Sequence, residues 1–308
     1  LLAILKTAKK RQHVLYFDDL VGLFLAGVSA SSSLNAAQVL KPYLERRDVQ
    51  VLGEITPEAL RVLQERDRSF ADLFHLIPVR EPTEPDTLRI LLEAQRRWEG
   101  KTACGFEVDV LPTVLDIQRR FEKTSAFPGK AARMLGRLAI RAEVQILNTE
   151  TEEDKAKKVD PFAPKTQIDR EAVLKEFQAQ SGLSLAFIDR RERLLREKIL
   201  EGLSAQVIGQ TEAVEALTDV IGIAKARLND PERPLAAFLF LGPTGVGKTE
   251  CAKAAARYLF GEAERLIRFD MNEYVNPGAA ARLVGTFTQP EGLLTAAIRR
   301  QPFAVVLL

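Results

Sequence analysis

A chain of 308 residues with 44 basic and 42 acidic side chains carries a formal charge of +2. No field of one sign draws it to nucleic acid or to an anionic membrane. Two cysteines far apart, Cys104 and Cys251, and two histidines, His13 and His75, leave neither a disulfide framework nor a metal cluster, and they point to a reducing, cytoplasmic compartment. The longest apolar stretch, Leu20 to Val28, is too short to span a bilayer, and no signal peptide opens the chain.

The first stretch alternates strand and helix. Leu1 to Leu5 has the look of a helix entered in its middle, Val14–Phe17 reads as a short buried strand ending in Asp18-Asp19, and Asn35 to Glu45 reads as a helix. Val49–Leu52 follows as a second strand and Pro57 to Asp67 as another helix, together half of a parallel α/β unit. From Thr83 only helical periodicity remains. Leu88, Ile90, Leu91, Ala94 and Trp98 share the face of a helix that Gly100 stops, and helices over Val108–Phe121 and Gly129–Leu147 complete an all-helical subdomain. Asn148 to Lys165 has almost nothing to bury and reads as an exposed linker. Two amphipathic helices are expected next, over Asp169–Gln180 and Phe187–Leu203, then a helix from Val207 to Leu228. The remaining elements are a strand over Ala236–Leu241, a helix over Thr249–Phe260, a strand over Leu266–Phe269, a helix over Leu293–Arg300 and a strand over Phe303–Leu308 that stops with nothing after it. With both ends read as cut elements, the expectation is an internal fragment.

The residues from Gly242 to Thr249 read Gly-Pro-Thr-Gly-Val-Gly-Lys-Thr, a complete phosphate-binding loop directly behind an apolar run and in front of a helix. Glycines at this spacing let the cofactor-binding loop Gly242, Pro243, Thr244, Gly245, Val246 and Gly247 turn successive backbone N–H groups onto phosphate without Cβ clashes. Lys248 then reaches the β- and γ-phosphates, Thr249 offers a hydroxyl to Mg²⁺, and Glu250 lies in the first turn of a helix whose positive dipole end faces the same anion. The ligand expected is ATP with Mg²⁺. Cys251, one turn into that helix, reads as a small packing residue without a chemical role.

Around this loop the chain resembles the Clp family of two-module AAA+ ATPases. The likeness rests on Val207-Ile208-Gly209-Gln210-Thr211-Glu212-Ala213-Val214, on Phe238–Leu241 running into the loop, on Arg268-Phe269-Asp270-Met271-Asn272-Glu273-Tyr274 and on Arg299–Val306. In the earlier half Leu15-Tyr16-Phe17-Asp18-Asp19 resembles a Walker B strand, and Pro128-Gly129-Lys130-Ala131 the signature of a helical lid. The resemblance implies an α/β fold class, P-loop AAA+ modules with a parallel sheet core and a helical lid subdomain, assembled as a homo-hexamer. The implied domains are residues 1–82, the C-terminal part of a first core; 83–148, its lid; 149–168, a linker; 169–205, a helical connector; and 206–308, the N-terminal part of a second module. It also implies that backbone near Val207 and Ile208 contacts adenine, that Asp18 holds Mg²⁺ in the first module, and that Asp19 stands where the attacking water is oriented; from the residues alone Asp18-Asp19 read equally as a pair of acids capping the loop after a strand. Thr56 is read either as a sensor of the γ-phosphate or as a plain turn residue before Pro57. Past Leu308 an acidic pair is expected.

Three departures bear on function. Where first-module arginines would reach a neighbour's phosphate, Asp72-Leu73 stand, with Arg66 and Arg68 the nearest basic residues. The loop that would grip a threaded polypeptide is reduced to Thr286–Gly292, whose Phe287 is expected to be buried rather than held in a pore. The coiled-coil insertion of the disaggregases is absent. The expected activity is ATP hydrolysis driving remodelling of a protein substrate, with a nucleotide-dependent ring scaffold or switch as the alternative. Docking of a protease stays open, and neither nucleic acid nor membrane is expected as a partner.

Overall fold

A computed structural model of the chain describes residues 1–27, 34–149, 166–230, 233–276, 278–286 and 291–308. It separates into two compact units, Leu1–Arg80 and Glu81–Leu308.

The first unit holds helix α1 (Leu2–Arg11), strand β1 (Val14–Phe17), the short helix α2 (Gly22–Leu25), α3 (Ala36–Glu45), β2 (Gln50–Gly53) and α4 (Pro57–Ala71). β1 and β2 pair in parallel, Val14 opposite Gln50 through Phe17 opposite Gly53. Rather than being buried throughout, both strands alternate between exposed and half-buried residues, so one face packs on the helices and the other stays open. Leu5, Leu20, Phe24, Leu40, Leu63 and Phe70 make the core, with the Phe24 and Phe70 rings edge to face at 5.2 Å. Gly53 is required here, because a Cβ at that position would stand 2.6 Å from Cγ of Leu20. α3 starts where Asn35 and Gln38 form a capping box. The sequence pattern ends α4 at Asp67; the structure instead kinks there and continues to Ala71. The Asp67 carboxylate explains the kink: it accepts from the Phe70 N–H at 2.9 Å and from Lys41, and so caps the extra turn.

The second unit begins with α5 (Glu84–Glu99), capped by Thr83, then β3 (Cys104–Phe106), α6 (Val110–Phe121) and α7 (Gly129–Thr149). β4 (Thr166–Ile168) pairs in parallel with β3, so this subdomain is not purely helical. Three residues from a polar stretch give too short a pattern to be read as a strand; burial of Cys104, Phe106 and Ile168 is what selects it. Most of the expected linker, residues 150–165, lies outside the described residues. α8 (Arg170–Ser181) follows. The single helix expected over 187–203 is two: α9 (Leu185–Ile188) and α10 (Arg196–Ser204). Side chains take the carbonyls that a continuous helix would use. Lys225 donates to the carbonyls of Ala186, Phe187 and Asp189, and Arg120 donates to that of Ile188 at 2.9 Å. α11 runs over Thr211–Ala226, α12 over Lys248–Phe260, β5 over Leu266–Arg268, α13 over Ala279–Val284, α14 over Leu293–Arg300 and β6 over Val305–Leu307, the last parallel to β5.

One continuous core fills this unit. Leu91, Val114, Met134, Leu135, Ile188, Ile199 and Leu203 are almost wholly buried. Phe121 of α6, Phe177 of α8 and Phe303 before β6 form an aromatic cluster with centroids 5.1 to 6.0 Å apart. Glu176, itself buried, draws Arg137 and Arg141 of α7 onto α8 at 3.2 and 2.8 Å.

The turn after α9 has a titratable lock. The Arg170 guanidinium grips both oxygens of Asp189, the Arg191 N–H donates to one of them, and together they hold the carboxyl down to about 2 against an ordinary 3.8. A carboxylate lowered on folding stabilises the fold above its unfolded pKa, and that contribution is lost as pH falls through the folded value. Between about pH 5 and about pH 2, chemical denaturation should therefore show a loss of stability smaller by about 1–2 kcal/mol in Asp189→Asn than in the parent. An identical loss in both would contradict the lock.

Candidate nucleotide site

Backbone freedom builds the loop before α12. Gly245 and Gly247 sit at φ 89° and 101°, which L side chains rarely adopt, and nothing lies within 4 Å of a Cβ built on either. Gly247 is the N-cap of α12 and offers no side chain to its first turn, so the opening N–H groups of the helix are left for a ligand. Lys248 bends back over the loop: its ammonium donates to the carbonyls of Gly242 at 2.8 Å and Pro243 at 2.7 Å. Thr244, at the tip, and Thr249, in the first turn of α12, are both exposed. α12 is fixed from behind. Cys251, Ala252, Ala254, Ala255, Ala256 and Leu259 are buried, and burial pushes the Cys251 thiol up, keeping it protonated and inert. Glu250 does not turn toward the loop: its carboxylate accepts from Arg257 at 2.7 Å, which holds it below its ordinary value.

The strand expected over Ala236–Leu241 is absent. The run forms no ladder with a neighbour among the described residues, and Leu239 and Leu241 are 83% and 85% exposed. An extended apolar run is a strand only when its N–H and C=O groups meet another strand, and among the described residues β6 pairs with β5 alone. Phe240 still packs on the core, with Phe238 stacked on it at 5.9 Å.

The chain just after the residues expected near adenine reaches the loop through Gln210. Val207 is buried, Ile208 is 91% exposed, and two residues on Gln210 donates its Nε2–H to the carbonyl of Val246 at 2.9 Å. Gln210 stands within the Val207–Val214 motif, but a hydrogen bond across 36 positions leaves no local signal of its role.

In the first unit Asp18 and Asp19 follow β1, and Thr56 follows β2, at the same end of a parallel pair. Glu54 N–H donates to Phe17 O and Leu20 N–H to Glu54 O, which holds the two strand ends together. Parallel sheets bind ligands at this carboxyl-terminal edge. Asp18 and Asp19 are exposed. Asp19 also accepts from the Val21 N–H at 2.9 Å, and Thr56 caps α4 by accepting from the Ala59 N–H at 3.2 Å. Asp72 ends α4 and pairs with Arg68 at 3.9 Å, while the Arg66 guanidinium lies over the Phe24 ring. In the second unit Lys130 opens α7 from a buried position. It donates to the carbonyl of Glu122 at 2.8 Å and stands over the Phe127 ring, and burial lowers its pKa. An open cavity of about 530 Å³, lined by Glu84, Thr87, Arg119, Lys123, Phe127 and Lys130, adjoins it.

Among the described residues no group of three or more His, Cys, Asp or Glu side chains could hold a metal ion, and no helix is long and apolar enough to cross a membrane. A cation here would share its shell with phosphate oxygens, as Mg²⁺ does at phosphate loops. Phe287 and Pro290 lie outside the described residues.

Residues 233–308 match the model of the AAA domain (Cdc48 subfamily). Chaperone protein ClpB of Oceanobacillus iheyensis is 31% identical, and the ClpC ATP-binding subunit of the ATP-dependent Clp protease of Staphylococcus epidermidis is 30% identical. Each is matched over 96% of this chain and 42% of its own length. Among solved structures, the Hsp104–ADP complex of Saccharomyces cerevisiae superposes with a TM-score of 0.68 at 25% identity, over 99% of this chain and 50% of that one. The complex of the same protein with casein, in its extended conformation, gives 0.57 at 26%. The chain thus spans half or less of the proteins it matches. Likeness along almost the whole sequence, a likeness of fold and a glycine-rich loop inside the matched AAA domain are what this chain shares with Clp-type AAA+ proteins.

Proposed function

We propose that this chain belongs to an ATP-driven machine that remodels protein substrates, and that the loop from Gly242 to Thr249 is where it takes MgATP. The observation that carries the reading is the Lys248 ammonium held over the loop by two carbonyl oxygens, with two open glycines and an uncapped helix N-terminus around it. A cation in that place exchanges weak neutral acceptors for phosphate oxygens, and charge-assisted hydrogen bonds are about twice as strong as neutral ones. In this reading Thr244 to Thr249 supply N–H groups to the phosphates, Thr249 supplies its hydroxyl to Mg²⁺, and the backbone at Val207 and Ile208 borders the adenine. Bound MgATP supplies the phosphoanhydride whose cleavage drives the work.

Asp18 is our candidate for the magnesium-holding carboxylate of the first module, Asp19 for the group that orients water there, and Thr56 for its γ-phosphate sensor. Asp19 is a carbon shorter than a glutamate, and Asp72 brings negative charge where a cation would help, so we assign the first module weak hydrolysis. The domain boundaries at 82, 148, 168 and 205 belong to the same reading. A structural neighbour in complex with casein supports a protein substrate in this reading, and the homo-hexameric ring is the assembly that the resemblance to Clp proteins implies. Two buried, free cysteines accord with the cytoplasm, and the balanced charge with an absence of nucleic-acid and membrane partners.

Titration with a fluorescent ATP analogue and Mg²⁺ tests the loop. Lys248→Ala should lose about one to two decades of affinity. Cys251→Ala should bind as the parent does while losing about 1 kcal/mol of stability from its small cavity. Unchanged affinity in Lys248→Ala would make the loop merely structural.

A further inference from the structure

We propose that Gln210 is a positioning residue for the phosphate cradle: by holding the carbonyl of Val246 it aims the N–H of Gly247 at the bound phosphate. The inference rests on the nucleotide-binding role given above to the loop from Gly242 to Thr249. Its starting point is the 2.9 Å hydrogen bond from Gln210 Nε2 to Val246 O.

The C=O of Val246 and the N–H of Gly247 belong to one planar trans peptide unit and point to opposite sides of the chain. Fixing one fixes the other. Without an anchor this plane is free to turn, because φ of Gly247 is unrestricted by a Cβ, and a Cβ at Gly245 or Gly247 would meet nothing within 4 Å. A turned plane would present a carbonyl oxygen to the phosphate, replacing an attractive N–H dipole with a repulsive one. Lys248 does not supply this anchor, since its ammonium engages the carbonyls of Gly242 and Pro243 at the other end of the loop.

Gln210 is well placed to be the fixed point. Its backbone carbonyl accepts the first hydrogen bond of α11, from the Val214 N–H at 3.0 Å, so its main chain is tied to a 16-residue helix. That helix is itself anchored in the core by Val214, Leu217 and Ile221. A carboxamide also has the chemistry required: its NH₂ donates to a carbonyl, whereas a carboxylate of the same shape only accepts. Gln210 follows Val207 and Ile208 directly, so the residue that orients the phosphate loop sits on the segment proposed to border the base.

The test compares MgATP with inorganic tripolyphosphate, a probe with phosphates and no base, on the full 308-residue chain. Two variants near the size of glutamine are used, Gln210→Met and Gln210→Glu, with Lys248→Ala as the control. Thermal unfolding checks that each folds. The expected result is a loss of about threefold to tenfold for both ligands in both variants, with unfolding temperatures close to the parent's. Gln210→Glu should be the weaker of the two, because its carboxylate repels the Val246 carbonyl. Weakened ATP with unchanged tripolyphosphate would overturn the proposal, since Gln210 would then act through the base; so would unchanged affinity for both. If Lys248→Ala loses both ligands while the Gln210 variants keep them, only Gln210's role falls. If the parent chain binds neither ligand, the nucleotide reading and this proposal fall together.

Discussion

An ammonium group must find oxygen, and everything about the second unit turns on where Lys248 finds it. Two loop carbonyls hold it at 2.7 and 2.8 Å. They are neutral acceptors, so the group stays exchangeable: in the reading proposed here a phosphate oxygen, carrying charge, would win the contact at little structural cost. The loop can offer this only because it has no bulk of its own. Gly245 and Gly247 adopt backbone angles that a side chain would strain, and leave the N–H groups of the first turn of α12 without a competing cap.

A cradle made of backbone is only as firm as what stands behind it. α12 presents a buried face of small residues, Cys251, Ala252, Ala254, Ala255 and Ala256, which lets the helix lie close against its neighbours. The same core continues without a break through Phe177, Phe121 and Phe303 to the helices that resemble a lid. Charge reinforces it at the edges. Glu176 ties α7 to α8, while Arg120 and Lys225 grip the turn after α9 from α6 and α11. Arg227 adopts a left-handed conformation at the end of α11 and forms two contacts with Asp116 of α6, at 2.8 and 2.9 Å.

Local chemistry was legible in the sequence, and contacts between distant segments were not. Asn35, Thr56, Thr83 and Asp169 each cap the helix that pattern and turn chemistry placed after them, and α14 has the bounds its periodicity predicts. The candidate phosphate loop from Gly242 to Thr249 stands out by spacing alone. Three features do not. The helix over 187–203 breaks because Arg120 and Lys225, far off in sequence, take its carbonyls. β3 and β4 exist through each other, from stretches of three residues too short to say anything alone. The run Ala236–Leu241 has strand composition but no partner strand, and composition cannot supply one. The candidate loop residues stand out by their motif, while Gln210, proposed to act through one long-range hydrogen bond, leaves no such mark in the sequence. For Asp19 and Thr56 the sequence offered both a chemical and a local structural role, and each does make its local hydrogen bond.

The most direct measurement is a crystal structure of the chain grown with Mg²⁺ and a non-hydrolysable ATP analogue. The account predicts the triphosphate on the N–H groups of residues 244–249, with the Lys248 ammonium moved off the carbonyls of Gly242 and Pro243 and onto phosphate oxygen. Val246 O should still be held by Gln210. A nucleotide bound elsewhere, or a loop in which Lys248 keeps its two carbonyls with the analogue present at saturation, would contradict it.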